Sequence, residues 1–446
     1  MTATEIAHPI HSPPTGAGRK SPHAEFMQIW EEGYVSTRIS HETMHIPSNF
    51  IVDGSPLRLP DGTLDRARIL AYIEGVFAAT ATYRLRLKRS FLGLTPPAWV
   101  PDESFDLSRH VIFSDEIVDL ATADLRRLGG QDDGVISLEH PLWRVRITEL
   151  VDGRVAVGMT SHHAISDGLS GMKLSATLFH KKPDDAIPAP SDPFEGVRAP
   201  SRIELPWLAL RQWWNRQPSL GAAWQAYWAK PFIRRVRRVG ARLLIPVRYG
   251  RGGEAARAVA LPPRYSSYRV MDAAQANGRA RAAGGTMSDL LLAAMVGAWN
   301  GSERDVRARF PVSYHNPKEP HIRNHVRDME ISANADDDLD TTMTIIRRQV
   351  DSRDEPRPAG WAPTGTLIGY STLLPWVTRT AYFCGAAVLA TTPFPASVGA
   401  DRLAAAGMLY DGKLFIGATV PVESDVERVV GRMYEIMTGE PDPGRP

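Results

Sequence analysis

Thr160-Ser161-His162-His163-Ala164-Ile165-Ser166-Asp167-Gly168 is the stretch on which the reading of this 446-residue chain turns. It sets an imidazole, the side chain best suited to moving a proton near neutral pH, directly ahead of a tight acidic turn. Upstream, Trp143, Val145 and Ile147 alternate with Arg144, Arg146 and Thr148, and Val155, Val157 and Met159 keep the same period after Asp152-Gly153. Asp-Gly between two alternating runs predicts a hairpin whose second strand runs straight into the histidines. Downstream, Leu169, Met172, Leu174 and Leu178 have helical spacing. The motif therefore occupies a predicted strand-to-helix corner, where rigid elements on both sides hold a site residue in place.

Further out, Leu64, Ile69, Leu70, Ile73, Val76 and Phe77 predict a helix over Thr63 to Arg89, with Thr63 as N-cap and Asp65 in the first turn. Thr286-Met287-Ser288-Asp289 reads as a capping-box start to a buried helix running on through Leu290 to Met295. Arg309 to Ser313 reads as a short strand and Leu339 to Val350 as a helix. Strands and helices mix in both halves without strict alternation or internal repeat, which predicts an α+β chain. Its length predicts two domains of roughly 200 residues each. We divide it into a disordered leader at 1–22, an N-terminal domain at 23–180 carrying the motif, a linker or crossover at 181–257, and a C-terminal domain at 258–446.

The chain is 43% hydrophobic, enough for packed cores. Residues 365–392 are the most apolar stretch, but Pro375 and Arg379 interrupt them, so they read as buried core or tunnel wall rather than a membrane span. The single cysteine, Cys384, excludes an intramolecular disulfide and a cysteine-based zinc cage. The leader has no apolar core following a basic start, so a cytoplasmic protein is expected. A net charge of +2 gives no support to nucleic-acid binding. Trp207, Trp213, Trp214, Trp224 and Trp228 lie ahead of Lys230, Arg234, Arg235, Arg237, Arg238 and Arg242. That pairing suits peripheral contact with a membrane interface, or equally a crossover whose tryptophans pack on the domain seam while its arginines are solvated or bind phosphates.

His163 is the candidate general base, with His162 facing the core as support. Asp167 reads as structural, closing the turn and pairing with an arginine, in preference to direct proton transfer. Gly168 lets the backbone bend sharply or a substrate chain pass close by. No metal is expected, because adjacent histidines on a strand face opposite ways and there is no His-Glu-x-x-His helix or cysteine pair. A nucleophilic serine elbow needs Gly-x-Ser-x-Gly, and Gly168-Leu169-Ser170-Gly171 lacks that spacing.

The His-His-x-x-x-Asp-Gly run resembles the signature of coenzyme-A-dependent acyltransferases, a superfamily that includes chloramphenicol acetyltransferase, peptide-synthetase condensation domains and plant alcohol acyltransferases. Trp99-Val100-Pro101-Asp102, Phe105-Asp106-Leu107, His110-Val111 and Pro141-Leu142-Trp143 narrow the resemblance to bacterial wax ester synthases/diacylglycerol acyltransferases. Ser288-Asp289-Leu290-Leu291-Leu292-Ala293, Pro311-Val312-Ser313 and Asn324 extend it, so that it covers roughly residues 23 to 435. It implies two pseudo-symmetric chloramphenicol-acetyltransferase-like domains with a tunnel between them, His163 midway along it. It also implies transfer from acyl-CoA to an alcohol in a ternary complex without an acyl-enzyme, with His163, His162 and Asp167 as the catalytic set. Gly168, Ser288, Asp289 and Asn324 are expected at the substrate, and no cofactor is implied beyond acyl-CoA as co-substrate.

The second half departs from the family pattern. Ser288 stands where the family has Asn, Arg323 replaces the Gly of a Gly-Asn pair, and Ala390-Thr391-Thr392-Pro393-Phe394-Pro395 keeps only the two prolines of Ser-Asn-Val-Pro-Gly-Pro. Two alternatives therefore stand beside a wax ester or triacylglycerol synthase. One is a specialised-metabolite acyltransferase or condensation enzyme that uses another acceptor or an acyl carrier protein. The other is a non-catalytic relative that binds a lipid or carrier protein.

Overall fold

Runs of alternating and β-branched residues build two six-stranded mixed sheets. The computed structural model describes residues 20–28, 31–36, 44–78, 80–130, 133–187, 189–215, 228–229, 231–233, 264–314, 323–353, 364–395 and 401–446. The first sheet runs β14 (Tyr382–Phe383), β15 (Ala386–Thr392), β3 (His45–Val52), β8 (Val155–His162), β7 (Trp143–Leu150), β6 (Val111–Val118). The second runs β10 (Tyr265–Asp272), β17 (Lys413–Val420), β16 (Leu403–Tyr410), β13 (Thr366–Val377), β11 (Asp305–Ser313), β12 (Val326–Asn334). A small sheet joins β2 (Glu25–Phe26), β5 (Ala98–Pro101) and β4 (Leu85–Lys88), and β1 (Ser21–Pro22) pairs in parallel with β9 (Val197–Arg198). The helices are α1 (Gly33–Ser36), α2 (Arg66–Ala78), α3 (Leu125–Leu128), α4 (Gly168–Ala176), α5 (Glu204–Asn215), α6 (Ala273–Ala282), α7 (Met287–Gly297), α8 (Leu339–Asp351) and α9 (Glu423–Thr438).

The two halves repeat one plan. In the first, β6 lies parallel to β7, β7 antiparallel to β8, and β8 antiparallel to β3. In the second, β13, β16, β17 and β10 stand in the same relations. Asp152-Gly153 and Asp411-Gly412 close the matching hairpins, with Gly153 at φ 85° and Gly412 at φ 76°, where a side chain would strain the turn. A Cβ on Gly158 of β8 would collide with the Leu128 carbonyl, and one on Gly417 of β17 with that of Pro393. Two residues further on, Thr160 donates to the Gly129 carbonyl and Thr419 to that of Pro395, 3.0 Å away. Each half thus holds a passing loop against its central hairpin by a bare glycine and a threonine.

The hairpin, the capping box on α7, the strand at 309–313 and the helix at 339–350 stand as expected. The helix expected over Thr63 to Arg89 is shorter. Asp65 accepts from the Arg68 N–H at 2.9 Å, while the Thr63 hydroxyl turns to Asp61 at 2.6 Å. After Ala78, Leu85 and Leu87 point inward between Arg86 and Lys88, a strand period that forms β4. The leader boundary also moves, since Ser21 and Pro22 are paired in β1; residues 1–19 lie outside the described residues. The apolar stretch 365–392 is strand rather than span: β13 belongs to the second sheet, and β14 and β15 cross to extend the first beyond β3. No described helix is long and apolar enough to cross a membrane.

Candidate functional site

The corner after β8 is tied down on both sides. The His162 N–H donates to the Leu142 carbonyl at 2.9 Å and the His163 N–H to that of Met44 at 2.7 Å. His162 is wholly buried, with Nδ1 accepting from the Ala164 N–H at 3.1 Å and its ring edge-on to His45. Its ring faces the core. His163 is half-buried and stacks on Tyr34, with ring centroids 4.7 Å apart and planes 12° off parallel. Burial, reinforced by the charges of Asp328, Asp167 and Glu31, pushes the Tyr34 phenol up to about 12, so that it stays neutral against the imidazole.

The His163 ring is oriented from the other half of the chain. Nδ1 lies 3.1 Å from Asn324 Oδ1, and Asn324 Nδ2 donates to the Ala164 carbonyl at 3.3 Å. A carbonyl can only accept, so that second bond assigns the amide: Oδ1 faces the ring and accepts from Nδ1–H. His163 is thereby held in the tautomer that leaves its Nε2 lone pair for an incoming proton. The sequence reading put Asn324 at the substrate; in the structure its side chain lies against the His163 ring and the Ala164 carbonyl.

Asn324 is itself held. Glu31 Oε1 accepts from the N–H groups of Arg323 and Asn324 at 2.7 and 2.9 Å, and Oε2 from that of Gln28 at 2.8 Å. The Arg323 guanidinium pairs with Glu25 at 2.7 Å, reaches the Thr82 hydroxyl at 3.2 Å and lies over the Trp99 ring. Burial pushes the Glu25 carboxyl up, but the hydrogen bond from His23 and the charge of Arg323 outweigh it and hold it at about 2. This gives the Gly-to-Arg departure a physical role: the arginine docks second-half backbone onto the first half beside His163.

Asp167 is buried and caps α4, its Oδ1 accepting from the Ser170 N–H and hydroxyl at 3.1 and 2.6 Å, its Oδ2 from the His325 N–H at 3.0 Å. It closes the turn, and its N–H donates to the Arg323 carbonyl at 3.2 Å, while the Arg323 guanidinium turns toward Glu25. Gly168 lies close to Leu374, where a Cβ would stand 2.9 Å from Leu374 Cδ2. Asp289 lies buried at the start of α7. Its Oδ2 accepts from the Thr286 N–H and hydroxyl at 2.8 and 2.7 Å and from Arg347 at 3.2 Å, a capping role in the second core, with half-buried Ser288 beside it on the first turn of α7. Phe105, His110 and Trp143, part of the family pattern, stack on one another beneath the corner as structure. Among the described residues, no group of three or more His, Cys, Asp or Glu is placed to hold a metal ion.

Two sheet-rich halves meeting at a histidine corner define a chloramphenicol-acetyltransferase-like fold, and solved structures share it. A wax ester synthase/diacylglycerol acyltransferase from Marinobacter aquaeolei VT8 matches with a TM-score of 0.53 and 16% identity, over 93% of this chain and 97% of that one. The first condensation domain of the CDA synthetase matches with a TM-score of 0.56 and 15% identity, over 95% and 98%. The starter condensation domain of rhizomide synthetase, solved in a mutant form with C8-CoA, matches with a TM-score of 0.53 and 12% identity, over 95% and 96%. Sequence likeness is more particular. A Mycobacterium tuberculosis protein named as a diacylglycerol O-acyltransferase is 35% identical over 135 residues, covering 29% of this chain and 28% of its own length. Residues 40–221 match the wax ester synthase/diacylglycerol acyltransferase catalytic domain, so that part of the chain is similar to that family.

Proposed function

We propose that this protein transfers an acyl group from a coenzyme A thioester to an alcohol, with His163 as general base. The alcohol oxygen attacks the thioester carbonyl as His163 Nε2 takes its proton. The tetrahedral intermediate collapses, the C–S bond breaks, and the departing thiolate takes that proton from the imidazolium, giving ester and free thiol. Throughout, Nδ1–H stays with Asn324. A base so placed contributes about 10² to 10⁴ in rate. The observation that carries this reading is the Asn324 contact, which orients an imidazole for proton transfer at the seam of the two halves. The likeness of residues 40–221 to the wax ester synthase/diacylglycerol acyltransferase catalytic domain supports an O-acyltransferase of the wax ester or triacylglycerol type, acting in the cytoplasm in a tunnel along the seam and needing no cofactor beyond the donor. A carrier-protein thioester is the second reading, favoured by the likeness to condensation domains.

The native protein is to be incubated with acyl-CoAs of several lengths and a fatty alcohol, a diacylglycerol or no acceptor, following thiol release and ester by mass spectrometry. Acceptor-dependent release with ester formed supports the proposal and names the acceptor. Absence of ester from every pair overturns the acyl-CoA reading, and ester from acyl-carrier protein alone establishes the second one.

A further inference from the structure

Helix α5 leaves a large apolar face in solvent. Ile203, directly ahead of it, and Trp207, Leu210 and Trp214 recur at intervals of four, three and four residues and so share one helical face. They are 68%, 71%, 50% and 55% exposed, although Leu205 and Leu208 on the opposite side are packed on Ala24, Ala98 and Val100. Soluble chains rarely leave a contiguous patch of this kind without a partner. The charge pattern identifies the partner. Between Leu205 and Gly253 the chain carries ten Lys or Arg residues and no Asp or Glu, against a net charge of +2 for the whole protein. Of these ten, Arg211 alone lies among the described residues; Lys230 and Arg234 to Arg242 lie outside them with the others, as does Trp224, so the charge pattern stands on sequence alone.

We infer that the Ile203–Trp214 face is a docking surface for an anionic phospholipid bilayer. Tryptophan rings settle at headgroup level, aliphatic neighbours enter the acyl boundary, and adjacent cations meet lipid phosphates. Single-stranded nucleic acid would also attract cations and indoles, but it calls for ring faces to stack on, and Ile203 and Leu210 offer none. The surface adjoins the site. Gln212 of α5 donates to the Ala24 carbonyl at 2.8 Å, the next residue, Glu25, holds Arg323, and Asn324 holds His163. If the acyl-transfer reading holds, a lipid acceptor would be taken from this bilayer at the seam; docking itself does not depend on that reading.

The full chain and a Trp207→Ser/Trp214→Ser variant are to be sedimented with vesicles of phosphatidylcholine alone and of phosphatidylcholine mixed with phosphatidylglycerol. The expected result is binding of the native protein to the mixed vesicles, weakened at least about tenfold in the variant and lost at high salt. Thiol release with a short water-soluble alcohol should be the same in both proteins. Equal binding of the two proteins, or binding of the native protein that ignores phosphatidylglycerol, overturns the inference. So does a native dimer that the variant converts to monomer, which would mean that a second copy covers the face. Absence of thiol release from both proteins, with the vesicle difference intact, would remove the enzymatic reading and leave the docking surface standing.

Discussion

At the scale of the residue, the His163 ring is oriented by a neighbour 161 positions away, and the proposed proton transfer depends on that contact. Asn324→Ala frees the ring to turn and release its tautomer, so kcat should fall about 10²-fold, with the KM for the acyl donor little changed and the melting curve close to native. The reverse split, a raised KM with kcat intact, would make Asn324 the substrate contact that the sequence suggested. His162, His163 and Asp167 were legible in the sequence because they share one short run at a recognisable corner. Glu31 and Tyr34 were not. Glu31-Glu32 reads as a solvated charged pair, and only the fold brings Glu31 to the backbone of Asn324, 293 residues on.

At the scale of the element, the period-two runs and Asp-Gly turn revealed the β7–β8 hairpin, and the Thr286–Asp289 spacing revealed the start of α7. Both signals are local, set by chain geometry within a few residues. The end of α2 was missed because apolar spacing over Thr63 to Phe77 hides the change to alternation at Leu85. The loops packed on β8 and β17 were not legible either, since a glycine in a strand does not say which backbone will pass it. Gly158→Ala should exceed the roughly 1–3 kcal/mol usual for overpacking, because its Cβ meets the Leu128 carbonyl rather than a flexible side chain. Gly278→Ala is the control. It sits exposed within α6 with nothing near a Cβ, and should stabilise by about 0.5–1 kcal/mol. Urea denaturation of both variants checks the pair, and similar shifts for the two would contradict this packing account.

At the scale of the whole molecule, the α+β character and the division into two halves were legible from pattern and length, whereas the interlock was not. Residues 382–392 read as apolar core, and nothing local in them says that they leave the second half to extend the first sheet. The seam is closed further by Arg323 on Glu25 and by Arg445, whose guanidinium donates to the Ala123 carbonyl at 2.8 Å. The Glu25 clasp gives a pH dependence with a defined sign. Its carboxyl lies at about 2 in the folded chain against an ordinary 4.5, so its contribution is fully present above about 4.5. It is lost as pH falls toward 2, because over that window the unfolded chain takes up the proton first. Thermal midpoints from pH 5 to 2 should therefore fall more steeply in the native protein than in Glu25→Gln. Parallel curves would mean that the clasp does not tie the halves together.

The most direct test of the central claim is the rate of acceptor-dependent thiol release in His163→Ala relative to the native protein, on material whose melting curve shows it folded. Loss of the base should lower the rate by about 10² to 10⁴ with acyl-CoA binding retained. A rate within about threefold of native would contradict the assignment of His163 as the base, whatever ester the protein makes.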